Sequence, residues 1–66
     1  MQVKLYNVRK NEKGMTKKQV AELLEITEED YNAKEKGEAE FDQYEMYILS
    51  ELFDKDMTEL FSPRLR

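Results

Sequence analysis

The sequence predicts an all-α domain, folded as a compact bundle of five short helices. Helix-breaking residues are scarce, with two glycines and one proline among 66 residues, while helix-favouring residues are abundant. Apolar residues recur at the three- and four-residue spacing of a helix face, and a Thr or an Asp precedes four of these stretches. A chain of this length forms one domain, so residues 1–66 are expected to fold as a single unit.

The first helix is predicted over residues 3–12. Leu5 and Val8 lie on one face at helical spacing, with Tyr6 close to that face. Gly14 follows at the position where a left-handed residue commonly ends a helix, so the helix is expected to stop there.

Thr16 is expected to cap the second helix. Its hydroxyl can accept a hydrogen bond from the backbone of Gln19, and the Gln19 side chain can return one to the backbone of Thr16, which makes a capping box. Glu25 and Ile26 form the turn that follows, and Ile26 is expected to enter the core. The apolar stripe of this helix is predicted to consist of Val20, Ala21, Leu23 and Leu24.

The third helix is predicted to begin after Thr27, which caps it, and to run to about Lys36. Gly37 supplies its left-handed end. Tyr31 is its main apolar anchor. Asp30 stands three residues after Thr27, where its carboxylate could complete the cap. Acids in the first turn also favour the helix dipole, so the acidic start of this helix has a purely structural explanation.

The fourth helix is predicted over residues 43–53, with Asp42 as its cap. Its spacing places one set of side chains on a common buried face. That face is predicted to contain Met46, Leu49, Ser50 and Phe53, with Leu52 beside it. The centre of the core is expected to hold Leu24, Tyr31, Leu49 and Phe53 in mutual contact.

A last helical turn is predicted over residues 57–61, capped by Asp56. Pro63 prevents the helix from continuing. Residues 62–66 are therefore expected to form a mobile tail.

Charge is unevenly distributed along the chain. The net charge is −4, but residues 1–37 carry eight Lys/Arg against seven acids, whereas residues 38–66 carry three against eight. Any surface that binds phosphate is therefore expected in the first half. The acids of the second half have a simpler explanation as well, since net charge keeps a small domain soluble.

The composition excludes several classes of chemistry. The chain has no cysteine and no histidine, so it lacks a disulfide, a thiolate metal site and the commonest general base. No catalytic constellation, cofactor motif or metal-ligand spacing is visible, and we predict no enzymatic activity, no cofactor and no small-molecule substrate. No apolar run approaches a membrane span and no signal-peptide core is present, so a cytoplasmic location is expected.

Two sets of short motifs carry a resemblance to a known family. The first set is Met15-Thr16, Val20-Ala21-x-x-Leu24, Ile26-Thr27, Tyr31 and Glu35-Lys36-Gly37. The second set is Phe41-Asp42, Glu45-Met46, Leu52-Phe53 and Met57-Thr58-Glu59-Leu60-Phe61. At this spacing the chain resembles the Cro and phage-repressor helix-turn-helix family, also called XRE-type regulators, and the second set resembles its phage-type subgroup. The resemblance implies a lambda-repressor-like DNA-binding domain with its helix-turn-helix at residues 16–37.

The resemblance also implies a site and a partner. The partner is double-stranded DNA, bound without a cofactor by a transcriptional regulator of phage or mobile-element origin. The residues expected to read bases are Thr27, Glu28, Glu29, Asn32 and Ala33. The residues expected to contact phosphates are Thr16, Lys17, Lys18, Lys36 and Gly37. Glu35 is expected to pair with a cation of the first helix, Arg9 or Lys10, as part of the scaffold.

Three positions depart from the family pattern. The glycine usual at the turn is Glu25, and the glutamine usual at the start of the second helix is Lys17. The recognition helix opens with the three acids at positions 28–30, which phosphates repel. A carboxylate can nevertheless read cytosine by accepting from N4. The alternative is a protein-interaction module on the same fold, whose acidic third helix binds a basic protein partner rather than DNA.

A second surface is predicted on the fourth helix. If only one face of that helix is buried, several apolar side chains remain exposed near the last turn. An exposed apolar patch on a small domain favours self-association, although scattered apolar side chains are equally ordinary on a surface. The candidate face of a homodimer consists of Tyr44, Tyr47, Ile48 and Met57.

Overall fold

The computed structural model describes residues 2–61 and confirms an all-helical domain. Among these residues, five helices follow one another without a strand. Their bounds are α1 Val3–Asn7, continued by a π-helical segment Val8–Glu12, then α2 Lys17–Leu24, α3 Glu28–Lys36, α4 Gln43–Phe53 and α5 Met57–Leu60. The tail predicted at residues 62–66 lies outside the described residues. No helix within residues 2–61 combines the length and the apolar character needed to cross a membrane.

The second half of the first helix is wound more widely than predicted. The Lys13 N–H donates to the Val8 carbonyl at 2.9 Å, five residues back, which defines the π turn. The segment ends at Glu12, Lys13 follows as its cap, and Gly14 comes next with φ +62°. Its left-handed conformation agrees with the predicted helix end.

The predicted caps of the three central helices are present. Thr16 and Gln19 form the expected capping box on α2, and the Thr27 hydroxyl accepts from the Asp30 N–H at 3.0 Å on α3. Asp42 caps α4. The Asp30 carboxylate does not complete the cap of α3 in the described part of the chain, so that expectation was wrong. Each cap satisfies an N–H group that a helix start would otherwise leave unpaired.

The core lies where the helices converge, and the four side chains predicted at its centre are all buried. Phe41 joins it, with its ring centroid 5.9 Å from that of Tyr31 and 5.4 Å from that of Phe61. Ile26 packs against the core and is partly buried. The prediction that Leu23 belongs to the apolar stripe of α2 was wrong, because Leu23 is 53% exposed. It follows Glu22 on the solvent side of α2, while Val20, Ala21 and Leu24 face inward.

The turn between α2 and α3 contains backbone strain. Glu25 ends α2 in the left-handed conformation, with φ +60° and ψ +39°. A side chain other than glycine is disfavoured there by roughly 1–2 kcal/mol. Its N–H donates to Glu22, and the next N–H, from Ile26, donates to Ala21 at 3.0 Å, so the turn is closed by backbone hydrogen bonds.

Candidate functional site

The first turn of α3 is exposed to solvent. Glu28, Glu29 and Asp30 are all exposed, and the opposite side of the helix carries the fully buried Tyr31. Thr27 is exposed too, but its hydroxyl already accepts a hydrogen bond as the helix cap. α3 therefore presents an acidic, solvent-facing first turn and has its interior side fixed in the core.

Two candidate site residues from different helices are joined directly. The Lys17 ammonium, at the start of α2, donates a hydrogen bond to Oδ1 of Asn32 on α3. Both side chains are partly buried. They line an open cleft of about 330 Å³ together with Glu28 and Glu29. The sequence assigned Lys17 to phosphate and Asn32 to bases, and it gave no sign that the two side chains meet.

A buried ion pair anchors α3 to the first helix. Arg9 donates from Nε to Glu35 Oε2 at 2.8 Å and from Nη2 to Oε1 at 3.1 Å. Arg9 also donates to the Met15 carbonyl at 2.8 Å, just before the cap of α2. The Tyr31 hydroxyl completes the set by donating to Glu35 Oε2 at 2.7 Å. Of the two partners expected for Glu35, the structure selects Arg9.

This network shifts two pKa values. Burial is the largest cause of the raised pKa of Tyr31, and its hydrogen bond to Glu35 adds to it. Burial lowers the pKa of Arg9, but the hydrogen bond and the charge of Glu35 outweigh it and leave the pKa above its ordinary value. Tyr31 therefore stays a hydrogen-bond donor and Arg9 stays a cation. Both states favour the pairing with a carboxylate.

A second ion pair anchors α3 to α4, and it was not predicted. The Lys34 ammonium lies 2.6 Å from Glu45 Oε2 and 2.8 Å from Oε1. Glu45 is 5% exposed and also accepts from the Asp42 N–H at 3.0 Å. The capping-box spacing of Asp42 and Glu45 indicates a role for Glu45 at the start of α4, but no local spacing pairs Glu45 with Lys34, which lies eleven residues earlier on α3.

The remaining phosphate candidates lie at the ends of α2 and α3. Thr16 and Lys18 are exposed at the start of α2, where helix N–H groups point outward. Lys36 and Gly37 are exposed at the end of α3, and Gly37 has φ +89°.

Ala33, one of the base-reading candidates, is partly buried, and its carbonyl accepts from the N–H groups of the turn after α3. Ala33 therefore offers little surface to a ligand.

The candidate dimer face is exposed in part. Tyr44 is 67% exposed, Tyr47 is 53% exposed and Met57 is 37% exposed. Ile48 differs from the others, because it packs against the core and is partly buried. Ile48 therefore belongs at the edge of such a face rather than at its centre.

Comparison with known proteins identifies a family. A family model described as Helix-turn-helix matches residues 5–60, which is most of the chain and includes every helix from the middle of α1 to the end of α5. No curated protein matches the chain, and no solved structure matches it. Within residues 2–61, no group of three or more carboxylates is placed to hold a metal ion.

Proposed function

The chain belongs to the helix-turn-helix family, and from that premise we propose that it is a sequence-specific regulator that binds duplex DNA with the exposed side of α3. The observation that carries the proposal is the way α3 is held. One ion pair fixes its end to the first helix and another fixes it to α4, while its first turn stays open to solvent. A rigid helix with a free face is what base readout in a major groove requires.

We propose that Glu28 and Glu29 read bases by accepting hydrogen bonds. Both carboxylates are exposed at the start of α3. The amino group of cytosine N4 is the donor that suits a carboxylate in the major groove. Phosphates repel these acids, so they weaken non-specific binding and leave affinity dependent on the right base. The acidic first turn thus favours selectivity among base sequences over high affinity for DNA in general.

Phosphate contacts are proposed at both ends of the pair of helices. Lys18 lies exposed at the first turn of α2, and Lys36 lies exposed at the last turn of α3. Thr16 and Gly37 flank them as exposed residues, although their own N–H groups already donate to the Gln19 side chain and to the Lys34 carbonyl. Each lysine that neutralises a phosphate releases counterions, so each should contribute about one unit to the salt dependence of binding.

We also propose that the regulator acts as a homodimer, since a two-fold operator matches a two-fold protein. The candidate face is the exposed side of α4 at Tyr44 and Tyr47, continued by Met57. Sedimentation at micromolar concentration should then give twice the monomer mass. Tyr47→Lys should restore the monomer, whereas Leu23→Lys should not, although both wild-type side chains are 53% exposed. A wild-type monomer at about millimolar concentration, where binding would be worth only about −4 kcal/mol, would contradict the dimer.

The DNA proposal is tested with duplexes selected from a randomised library, titrated by fluorescence anisotropy at two salt concentrations. Lys18→Ala and Lys36→Ala should weaken binding to every sequence and flatten its salt dependence. Lys4→Ala is the matched control, because Lys4 lies on α1 and donates to the Thr58 carbonyl on α5 instead. It should leave both quantities unchanged.

Substitutions of the acids at the start of α3 should have the opposite effect on DNA affinity. Glu28→Gln and Glu29→Gln should strengthen binding to unselected duplex, because each removes a charge that phosphates repel. Glu22→Gln, exposed in the last turn of α2 and outside both the proposed base-reading turn and the proposed dimer face, is the control and should change nothing. If the wild-type chain and the Glu28→Gln, Glu29→Gln double variant both ignore duplex DNA at low salt, the DNA proposal is wrong. The origin in a phage or mobile element stays a prediction from the motifs.

A further inference from the structure

The exposed side of α4 carries two tyrosines followed by two acids. Tyr44, Tyr47, Glu51 and Asp54 succeed one another at spacings of three and four residues, which places them on one side of the helix. All four are exposed, and both tyrosines are more than half exposed. Within residues 2–61, the two hydroxyls and the Glu51 carboxylate have neither a hydrogen bond nor an ion pair. We call these four residues the tyrosine–acid stripe.

The stripe faces away from α3. Glu45, which pairs with Lys34 of α3, is buried on the opposite side of α4. A ligand on the stripe can therefore bind without covering the exposed first turn of α3.

No neighbouring lysine or arginine along the chain offsets the acids of the stripe. Residues 38–61 contain one lysine, Lys55, and its ammonium lies 3.1 Å from Oε1 of Glu12 on the first helix. The stripe therefore presents negative charge beside two aromatic rings, and its charge complements a cationic ligand.

The charge also distinguishes between two possible occupants. A two-fold interface places the same surface of both copies against itself. A second copy would bring its own Glu51 and Asp54 to the interface, and like charges there oppose association. A cationic segment of another protein meets opposite charges instead.

The chain itself shows how a guanidinium fits between a tyrosine and a carboxylate. Cζ of Arg9 lies 5.5 Å from the centroid of the Tyr6 ring, while Nε and Nη2 donate to Glu35. On α4, Tyr47 and Glu51 are one helical turn apart, with their β-carbons about 5–6 Å from each other. An arginine can lie on the Tyr47 ring and donate to Glu51, and its planar guanidinium suits both contacts better than a lysine ammonium does.

We propose that the tyrosine–acid stripe of α4 docks an arginine-rich segment of a partner protein. The proposed dimer uses the same two tyrosines, so the partner and a second copy compete for the stripe. The docking itself does not depend on DNA. Its consequence for DNA rests on the proposed function, because a partner that separates the dimer lowers the affinity for a two-fold operator.

The docking is tested by fluorescence anisotropy without DNA, at about 0.15 M salt, where charges more than about 8 Å apart are screened. The probe is a labelled peptide of alternating arginine and glycine, and the same peptide with citrulline in place of arginine is the neutral control. The wild-type chain should bind the arginine peptide and not the citrulline peptide. Glu51→Gln and Tyr47→Ala should each weaken binding about two- to fivefold, whereas Tyr47→Phe, which keeps the ring, should bind as wild type does.

The matched control removes acids from the other exposed acidic surface. The Glu28→Gln, Glu29→Gln double variant should bind the arginine peptide with unchanged affinity. If this variant loses affinity while Glu51→Gln keeps it, the cation binds at the start of α3 and the inference is wrong. Equal binding of the citrulline peptide would also overturn it, because charge would then not select the ligand.

Sedimentation with and without the arginine peptide tests a second copy as the occupant. Saturating peptide should leave the chain at its monomer mass. If the dimer mass persists at saturating peptide while Tyr47→Ala alone gives the monomer, the second copy holds the stripe and the inference is wrong. A chain that binds the peptide through Glu51 and ignores duplex DNA would support the docking and contradict the proposed function.

Discussion

Arg9→Met is expected to destabilise the domain more than most single substitutions do. The substitution removes two hydrogen bonds to Glu35 and one to the Met15 carbonyl. Glu35 is 3% exposed, and within residues 2–61 the hydroxyl of Tyr31 is the partner that its carboxylate would keep. Breaking a buried pair by removing one member costs about 3–5 kcal/mol. A chain of this length has a total stability of roughly 3–10 kcal/mol, so the variant should lose from about a third to all of it.

Urea denaturation followed by circular dichroism measures this loss. The Arg9→Met, Glu35→Leu double variant should recover most of the stability, because it leaves no buried charge without a partner. Tyr31→Phe, added to the double variant, removes the hydroxyl that then lacks an acceptor. A loss below about 1 kcal/mol in Arg9→Met would mean that water reaches Glu35, and it would refute the buried network.

Three further predictions concern stability. Glu25→Gly should stabilise the domain by about 0.5–1 kcal/mol, because glycine adopts the left-handed conformation without strain. Asp54→Gly, at φ +54°, should gain less stability, because Asp tolerates that conformation. Equal melting temperatures for Glu25→Gly and wild type would contradict strain at Glu25. Leu49→Ala should cost about 2–5 kcal/mol by thermal melting, since Leu49 is fully buried, and an unchanged melting temperature would exclude the packing described. The pKa of Tyr31 is raised in the fold, so the stability that its protonated hydroxyl contributes is complete below pH 10, its ordinary pKa, and declines above that pH. Between pH 9 and pH 11, the free energy of unfolding measured in urea should therefore fall by about 1.4 kcal/mol less in Tyr31→Phe than in wild type. Equal losses in the two proteins would contradict the buried hydroxyl.

The helix ends were predictable because their causes are local. Thr16, Thr27 and Asp42 each cap a helix through a bond to a residue three positions later, so the sequence alone contains both partners. Gly14 and Gly37 likewise end helices through their own backbone freedom. Such features depend on short spacing and do not need knowledge of the packing.

The errors concern features that depend on neighbouring helices. Helical spacing placed Leu23 beside the apolar stripe of α2, but which side of the stripe is covered depends on where the other helices lie. The π turn of the first helix is unpredictable for the same reason. It carries the buried Arg9, whose partner Glu35 stands 26 residues later in the chain.

The candidate site was predicted as a set of residues, and the structure adds how they are connected. The resemblance placed Lys17 and Asn32 in the site, but their contact joins two helices and no local spacing reveals it. Glu45 was predicted only as part of a motif, although its burial and its ion pair with Lys34 fix the last turns of α3. Contacts between helices therefore decide which candidate side chains are free to meet a ligand.

The most direct test of the DNA claim is chemical-shift mapping of the isotopically labelled chain during titration with a selected duplex. The proposal predicts shifts at residues 27–33 and at the start of α2, with Lys36 and Gly37 also affected. The amides of α5 should shift least, since that short helix packs against α1 and α4, away from the proposed surface. Saturating duplex at low salt that leaves residues 27–33 unshifted would contradict the account.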